Sequence, residues 1–205
     1  MSDLSPRFDE VIAAIDSTNA RDPNRVEVAG RLAPAELVYG QRMSETLARM
    51  APDASEHLRI AARGQHIERW TSPRNRYPAG RTGYLSWRKD LKDYHASRVG
   101  EIMAKTGYRP DDIGRVAALI RKERMRSDPD AQMLEDVVCV VFLKHYIGDF
   151  MEKTDQAKLG TILIKTWNKM SANGHAHALQ LNLPPIVPIL LARGAEQERA
   201  AKCQN

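Results

Sequence analysis

Apolar residues recur at intervals of three and four along most of this chain, which predicts helices. Phe8, Val11, Ile12 and Ile15 mark a short helix over 6–18, and the polar run 16–24 reads as a turn closed by Asp22-Pro23. Leu37, Val38, Met43, Leu47 and Met50 place a second helix over 35–50, behind a proline tolerated in the first turn. Ser55 is a good N-cap for a third, Glu56 to Trp70, where Leu58, Ala61, Ala62, Gln65 and His66 share or adjoin one face. Periodicity resumes over 85–105, with Arg88, Leu91, His95, Arg98 and Ile102 in one stripe, and again from Asp111 or Asp112 to Ile120.

The helix expected over 131–146 differs, because every residue from Met133 to Leu143 is apolar except Glu135 and Asp136. A helix apolar nearly all round belongs in a core. Leu159, Leu163, Trp167 and Met170 predict a last long helix over 156–171. Asn173-Gly174 reads as a helix stop, with His175 and His177 in a loop beyond it. The prolines of 183–191 predict an extended segment, and 195–205 a polar tail. No strand alternation of useful length stands out. The expectation is an all-α fold: one domain of about six main helices over 1–194, followed by the tail.

One stretch does not fit the helical pattern. From Gln65 to Lys89 the prolines and glycines Pro73, Pro78, Gly80 and Gly83 predict a loop that neither helix nor sheet absorbs. Between Glu68 and Asp90 it holds no acidic residue. Arg69, Arg74, Arg81 and Arg88 would suit phosphate or carboxylate, which a planar guanidinium binds in bidentate fashion. Trp70, Tyr77, Tyr84 and Trp87 could stack on a ring. Lys165, on another predicted helix, joins them as a candidate substrate-binding residue.

Charge adds little to this picture: the formal excess is +5 over 205 residues, and only the central stretch clusters it. Two cysteines cannot form a disulfide framework, and no signal core or membrane-length apolar run is present, so a cytoplasmic protein without membrane contact is expected. Oligomeric state is not legible.

Chemistry is narrowed by what is missing. No GxGxxG, Walker loop, GxSxG or CxxC occurs. Potential metal ligands lie on separate helices: Glu36 or Glu45, His66, His95, Glu135 and Asp136. Two adjacent carboxylates on an apolar helix need a partner, because an unpaired buried charge costs several kcal/mol, roughly. A metal, an arginine or a histidine would serve. With a divalent zinc, manganese or iron ion, His66, Asp136 and Glu45 would be ligands and Glu135 or His95 a further ligand or general base.

The blocks YGQRM (39–43), QHIERW (65–70), SPRNRYP (72–78), GYLSWR (83–88), LEDVVCVVFL (134–143) and KTWNKMS (165–171) resemble the signatures of domain-of-unknown-function family number 4202. That resemblance covers almost the whole chain and implies no particular activity. In layout the chain is also similar, more loosely, to the HD superfamily of metal-dependent phosphohydrolases. This similarity would give His66 the part of the central histidine and Asp136 that of the late aspartate, although Ile67 follows His66 where that family has aspartate. The expected function is a metal-dependent hydrolase of a nucleotide or other small phosphorylated anion. The alternative is a non-catalytic RNA- or nucleotide-binding module built on 69–89.

Overall fold

Helices dominate the computed structural model, which describes residues 5–125, 127–189 and 191–192. Helix α1, Pro6–Asn19, starts on a first-turn proline and buries Val11 and Ile15 completely. It leads into an antiparallel hairpin, β1 (Arg25–Val28) and β2 (Arg31–Pro34). Ala29 and Gly30 make its two-residue turn, both at positive φ (50° and 76°), the geometry that matches the twist of the flanking strands. The hairpin corrects the expectation that no strands form. Its signal was the alternating pair RVEV and RLAP around a glycine, and it was easy to miss because Val28 and Leu32 stay exposed rather than marking a buried face.

Helix α2 is Ala35–Met50 and α3 is Glu56–Gly64, where Ser55 Oγ accepts the Leu58 N–H at 3.2 Å as a cap should. Helix α3 ends short of the expected Trp70. Its last residue, Gly64, is where the chain crosses its neighbours: a Cβ there would stand 2.4 Å from Val99 Cγ2 and 3.5 Å from Ile15 Cδ1. Glu68 then takes the left-handed conformation, φ 52°, which helix cannot continue through. Two 3₁₀ turns follow, Arg69–Thr71 and Arg74–Arg76.

Helix α4, Gly80–Lys105, begins ahead of the expected Leu85 and takes up much of the supposed loop. Gly80 and Gly83 serve its entry instead of breaking it. Gly80 turns the chain at φ 85°, and Gly83 lets the incoming backbone lie on the first turn, since a Cβ there would meet Pro78 O at 2.0 Å. Helix α5, Pro110–Arg121, stops at Lys122 in the left-handed conformation, φ 60°. Helix α6 is Pro129–His145, α7 Ile147–Glu152, α8 Gln156–Trp167 and α9 Ala172–Leu179.

Helix α9 runs straight through Asn173-Gly174, so the predicted stop and the histidine loop are both corrected. Ser171 Oγ caps the helix by accepting from Gly174 N at 3.2 Å, and a Cβ at Gly174 would stand 2.7 Å from Asp136 Cγ. That glycine is there for close packing. Residues 186–189 are likewise helical rather than extended; Pro188 falls in the first turn, where its missing N–H costs nothing. The predicted polar tail, 195–205, lies outside the described residues.

Among the described residues the fold is all-α apart from the hairpin, and the chain divides into two compact units, Met1–Leu134 and Glu135–Asn205, with the boundary inside α6. In the first unit α3 packs against α1, α2, α4 and α5, and α4 against α5 and α1. Ile15, Met43, Leu47, Leu58, Ile60, Ile67, Val99 and Met103 form its core, each at most 1 % exposed. In the second unit Val137, Val141, Leu163, Ala178 and Val187 are fully buried.

Candidate functional site

Where α2 begins and the turn after α3 ends, three reactive side chains of the first unit meet. Glu36 lies in the first turn of α2, His66 and Arg69 on either side of the left-handed Glu68. His66 Nδ1 is 3.4 Å from Glu36 Oε2, and Arg69 Nε is 3.8 Å from Glu36 Oε1. Arg69 Nη1 also lies 3.4 Å from His66 Nε2. A guanidinium only donates, so Nε2 accepts and the neutral ring carries its proton on Nδ1, facing Glu36. The ring is held flat against Tyr39, with centroids 3.9 Å apart and 10° between planes. Arg69 in turn sits over Trp87, 5.1 Å from the ring centre, a cation–π contact.

Burial of Glu36, whose side chain is 16 % exposed, pushes its carboxyl up to about 7; Arg69 opposes the shift and the Asp22 carboxylate adds to it. His66 is held well below its ordinary range, first by burial and then by the positive charges of Arg69, Arg88 and Lys122. The site therefore pairs a carboxyl poised near neutrality with a neutral imidazole, inside a field set by cations. Arg88 makes no hydrogen bond or ion pair among the described residues.

Beneath the cluster, His95 on α4 is 2 % exposed and lies 6.0 Å from His66, centre to centre. Its Nδ1 donates to Ile67 O at 2.7 Å, which leaves Nε2 a bare acceptor; that atom is buried with no hydrogen-bond partner among the described residues. Burial, aided by His66, holds its imidazole down at about 3. Gln65 mirrors it: Oε1 accepts from Tyr39 OH at 3.2 Å, while Nε2 is buried without a partner among the described residues. One unmet acceptor and one unmet donor thus flank the His66–Tyr39 stack, an uncommon arrangement for a packed interior.

Of the other candidate binding residues, some build the loop and some face outward. Arg74 donates to the carbonyls of Tyr77, Pro78 and Gly80, at 2.9, 2.9 and 3.3 Å, and so fastens the turn before α4. Trp87 donates from Nε1 to Ser72 O at 2.9 Å, and Tyr77 OH to Asp90 Oδ2 at 3.1 Å. Trp70 is half-buried on the first 3₁₀ turn. Arg81 and Tyr84 are exposed on the first turns of α4. Lys165 is exposed on α8, in the second unit.

The candidate metal ligands are placed as follows. Glu45 is exposed on α2, and Glu36 is the glutamate beside His66. Glu135 and Asp136 belong to the second unit. Lys169 Nζ lies 3.6 Å from Glu135 Oε1, and Asp136 accepts from Ser171 N at 2.8 Å and from Ser171 Oγ. Among the described residues no three His, Cys, Asp or Glu side chains converge on a point that would hold a metal ion. In the same unit His175 stacks on Trp167 at 3.7 Å and donates from Nε2 to its carbonyl at 2.9 Å.

Sequence reasoning weighed Glu36 only as an alternative to Glu45. The available signal was its place in the first turn of the expected helix, where the positive end of the dipole favours an acidic residue. Asn19 and Asp22, which touch the same residue, gave no signal beyond being polar.

A family model described as a domain of unknown function (DUF4202) matches residues 9–190. No curated protein and no solved structure matches the chain.

Proposed function

The chain belongs to the DUF4202 family, whose description names no activity, and from that premise we propose an enzyme that hydrolyses a small phosphorylated substrate by acid–base chemistry at Glu36, His66 and Arg69. The observation that carries this reading is Glu36 itself, a mostly buried carboxyl poised at about 7 beside a neutral histidine and an arginine. A general base works best when its pKa lies near the operating pH. Arg69, Arg88 and Lys122 supply the positive field for a phosphoryl group. Glu36 takes a proton from water as the new P–O bond forms; the bond to the leaving alcohol breaks, and Glu36 returns the proton to that oxygen.

A divalent zinc, manganese or iron ion would supply a Lewis acid, but among the described residues no three His, Cys, Asp or Glu side chains converge to hold one, and no step above depends on it. The test is release of inorganic phosphate from a panel of phosphate monoesters and nucleotides, with and without chelator. Glu36→Gln should lower turnover about 10²- to 10⁴-fold, the usual worth of a general base. Turnover equal to that of the wild type in this variant sinks the reading.

One observation favours a second reading, binding of a nucleotide or RNA without catalysis. Tyr84 is 45 % and Leu85 54 % exposed on the turns of α4 that also carry Arg81, Arg88 and Lys89. Such binding would weaken steeply with salt and with Tyr84→Ala, and would be indifferent to Glu36→Gln.

A further inference from the structure

The polar run 16–24, read from the sequence as a turn but helical as far as Asn19, contains two side chains that the chemistry above does not use. Asn19, the last residue of α1, is 1 % exposed and Asp22 is 0 % exposed. Asn19 Oδ1 accepts from Glu68 N at 3.0 Å, and its Nδ2 donates to Glu36 O at 3.5 Å. Asp22 Oδ2 accepts from Glu36 N at 2.9 Å, while Oδ1 accepts from Asn24 N and Nδ2, both at 2.9 Å. Glu36 is thus gripped at both of its main-chain groups. One of those grips comes from the side chain that also holds the turn between His66 and Arg69.

We propose that Asn19 is a positioning residue that sets the Glu36 carboxylate against His66 and Arg69, an inference that rests on reading this cluster as the reactive site. The chemistry of the position is specific. Glu68 N–H needs an acceptor, and Glu36 C=O, already an intrahelical acceptor in the first turn of α2, has a second lone pair open to a donor; an uncharged side-chain amide serves both at once. Glu68 itself needs holding, because a non-glycine residue persists in the left-handed conformation only where its surroundings dictate it. Arg98 Nε, at 2.6 Å, and Tyr94 OH, at 3.0 Å, hold its carboxylate from α4; Asn19 holds its N–H from α1. Removing Asn19 frees the end of the turn that carries His66, and with it the spacing to Glu36.

Proton NMR of the full chain tests this. His66 lies flat against Tyr39, so its ring protons carry a ring-current shift; His175, flat against Trp167 in the second unit, is an internal control. In Asn19→Ala the His66 shift should be largely lost while that of His175 is kept. Asn19→Asp, which keeps the acceptor for Glu68 N–H and loses the donor to Glu36 O, serves if the alanine variant does not fold, and should lose part of the His66 shift. An unchanged His66 in a folded variant overturns the proposal. Loss of both histidine shifts in both variants also overturns it, since Asn19 would then be a requirement of the fold at large. Titrating inorganic phosphate into the wild type separates the two readings: if His66 and Arg69 do not respond, the anion-site reading falls and the Asn19 result stands.

Discussion

Glu36 and Asp136 are both largely buried carboxylates on helices, and they are held in opposite ways. Asp136, 1 % exposed, accepts a backbone N–H at 2.8 Å and a hydroxyl from Ser171, the residue that caps α9. Glu36 has longer side-chain contacts, 3.4 Å to His66 and 3.8 Å to Arg69, and short bonds only at its main chain. A carboxylate given short, directed donors is committed to structure. One given distant charged partners and a desolvated position keeps its proton near neutrality and stays available for chemistry.

The largest effect expected from this contrast is on activity: Glu36→Gln should reduce any phosphate release by about two to four orders of magnitude while the chain stays folded. Asp136→Ala should do the reverse, costing roughly 2–4 kcal/mol in chemical denaturation because the Ser171 N–H and hydroxyl lose their acceptor. Equal stability losses in the two variants would break the comparison.

The dependence of stability on pH sharpens it. Because the folded carboxyl of Glu36 sits at about 7 against an ordinary 4.5, the folded state holds a proton that the unfolded chain releases between those values. Its contribution is fully present below about 4.5 and lost as pH rises through about 7, on the order of 3 kcal/mol in all. Denaturation across that range should show the decline in the wild type and a flatter curve in Glu36→Gln; parallel curves would mean that the carboxyl titrates normally.

Smaller is Gly174→Ala, where the added Cβ meets Asp136 and should cost about 1–3 kcal/mol by overpacking, with no effect at Glu36. Smallest is Arg81→Ala, on an exposed turn, which should leave stability within about 0.5 kcal/mol. If that substitution nonetheless weakens binding of an anionic ligand, the outer face of α4 contributes to the site.

Much of the fold was legible because helix periodicity is local. Ser55 as a cap and the apolar run of α6 each specify an element from a few neighbouring residues. The glycines were misread for the same reason. Gly83 and Gly174 look like breaks in one dimension, and each is a helical residue on which another part of the chain rests. The site was legible in part. His66 and Arg69 stood out by type and place, whereas the preference for Glu36 over Glu45 needed the return of the chain after α3.

The sequence by itself determined the helical class, the approximate place of most helices and the stretch enriched in arginine and aromatic residues, since each of these follows from side chains within a turn or two of one another. Only the tertiary structure decided which glutamate faces His66, that Asn19 binds Glu68 across 49 positions, and that Glu36 is desolvated enough to hold a proton near neutrality. Partners and burial of that kind depend on where distant segments cross, and the spacing of residues along a chain carries no record of the crossing.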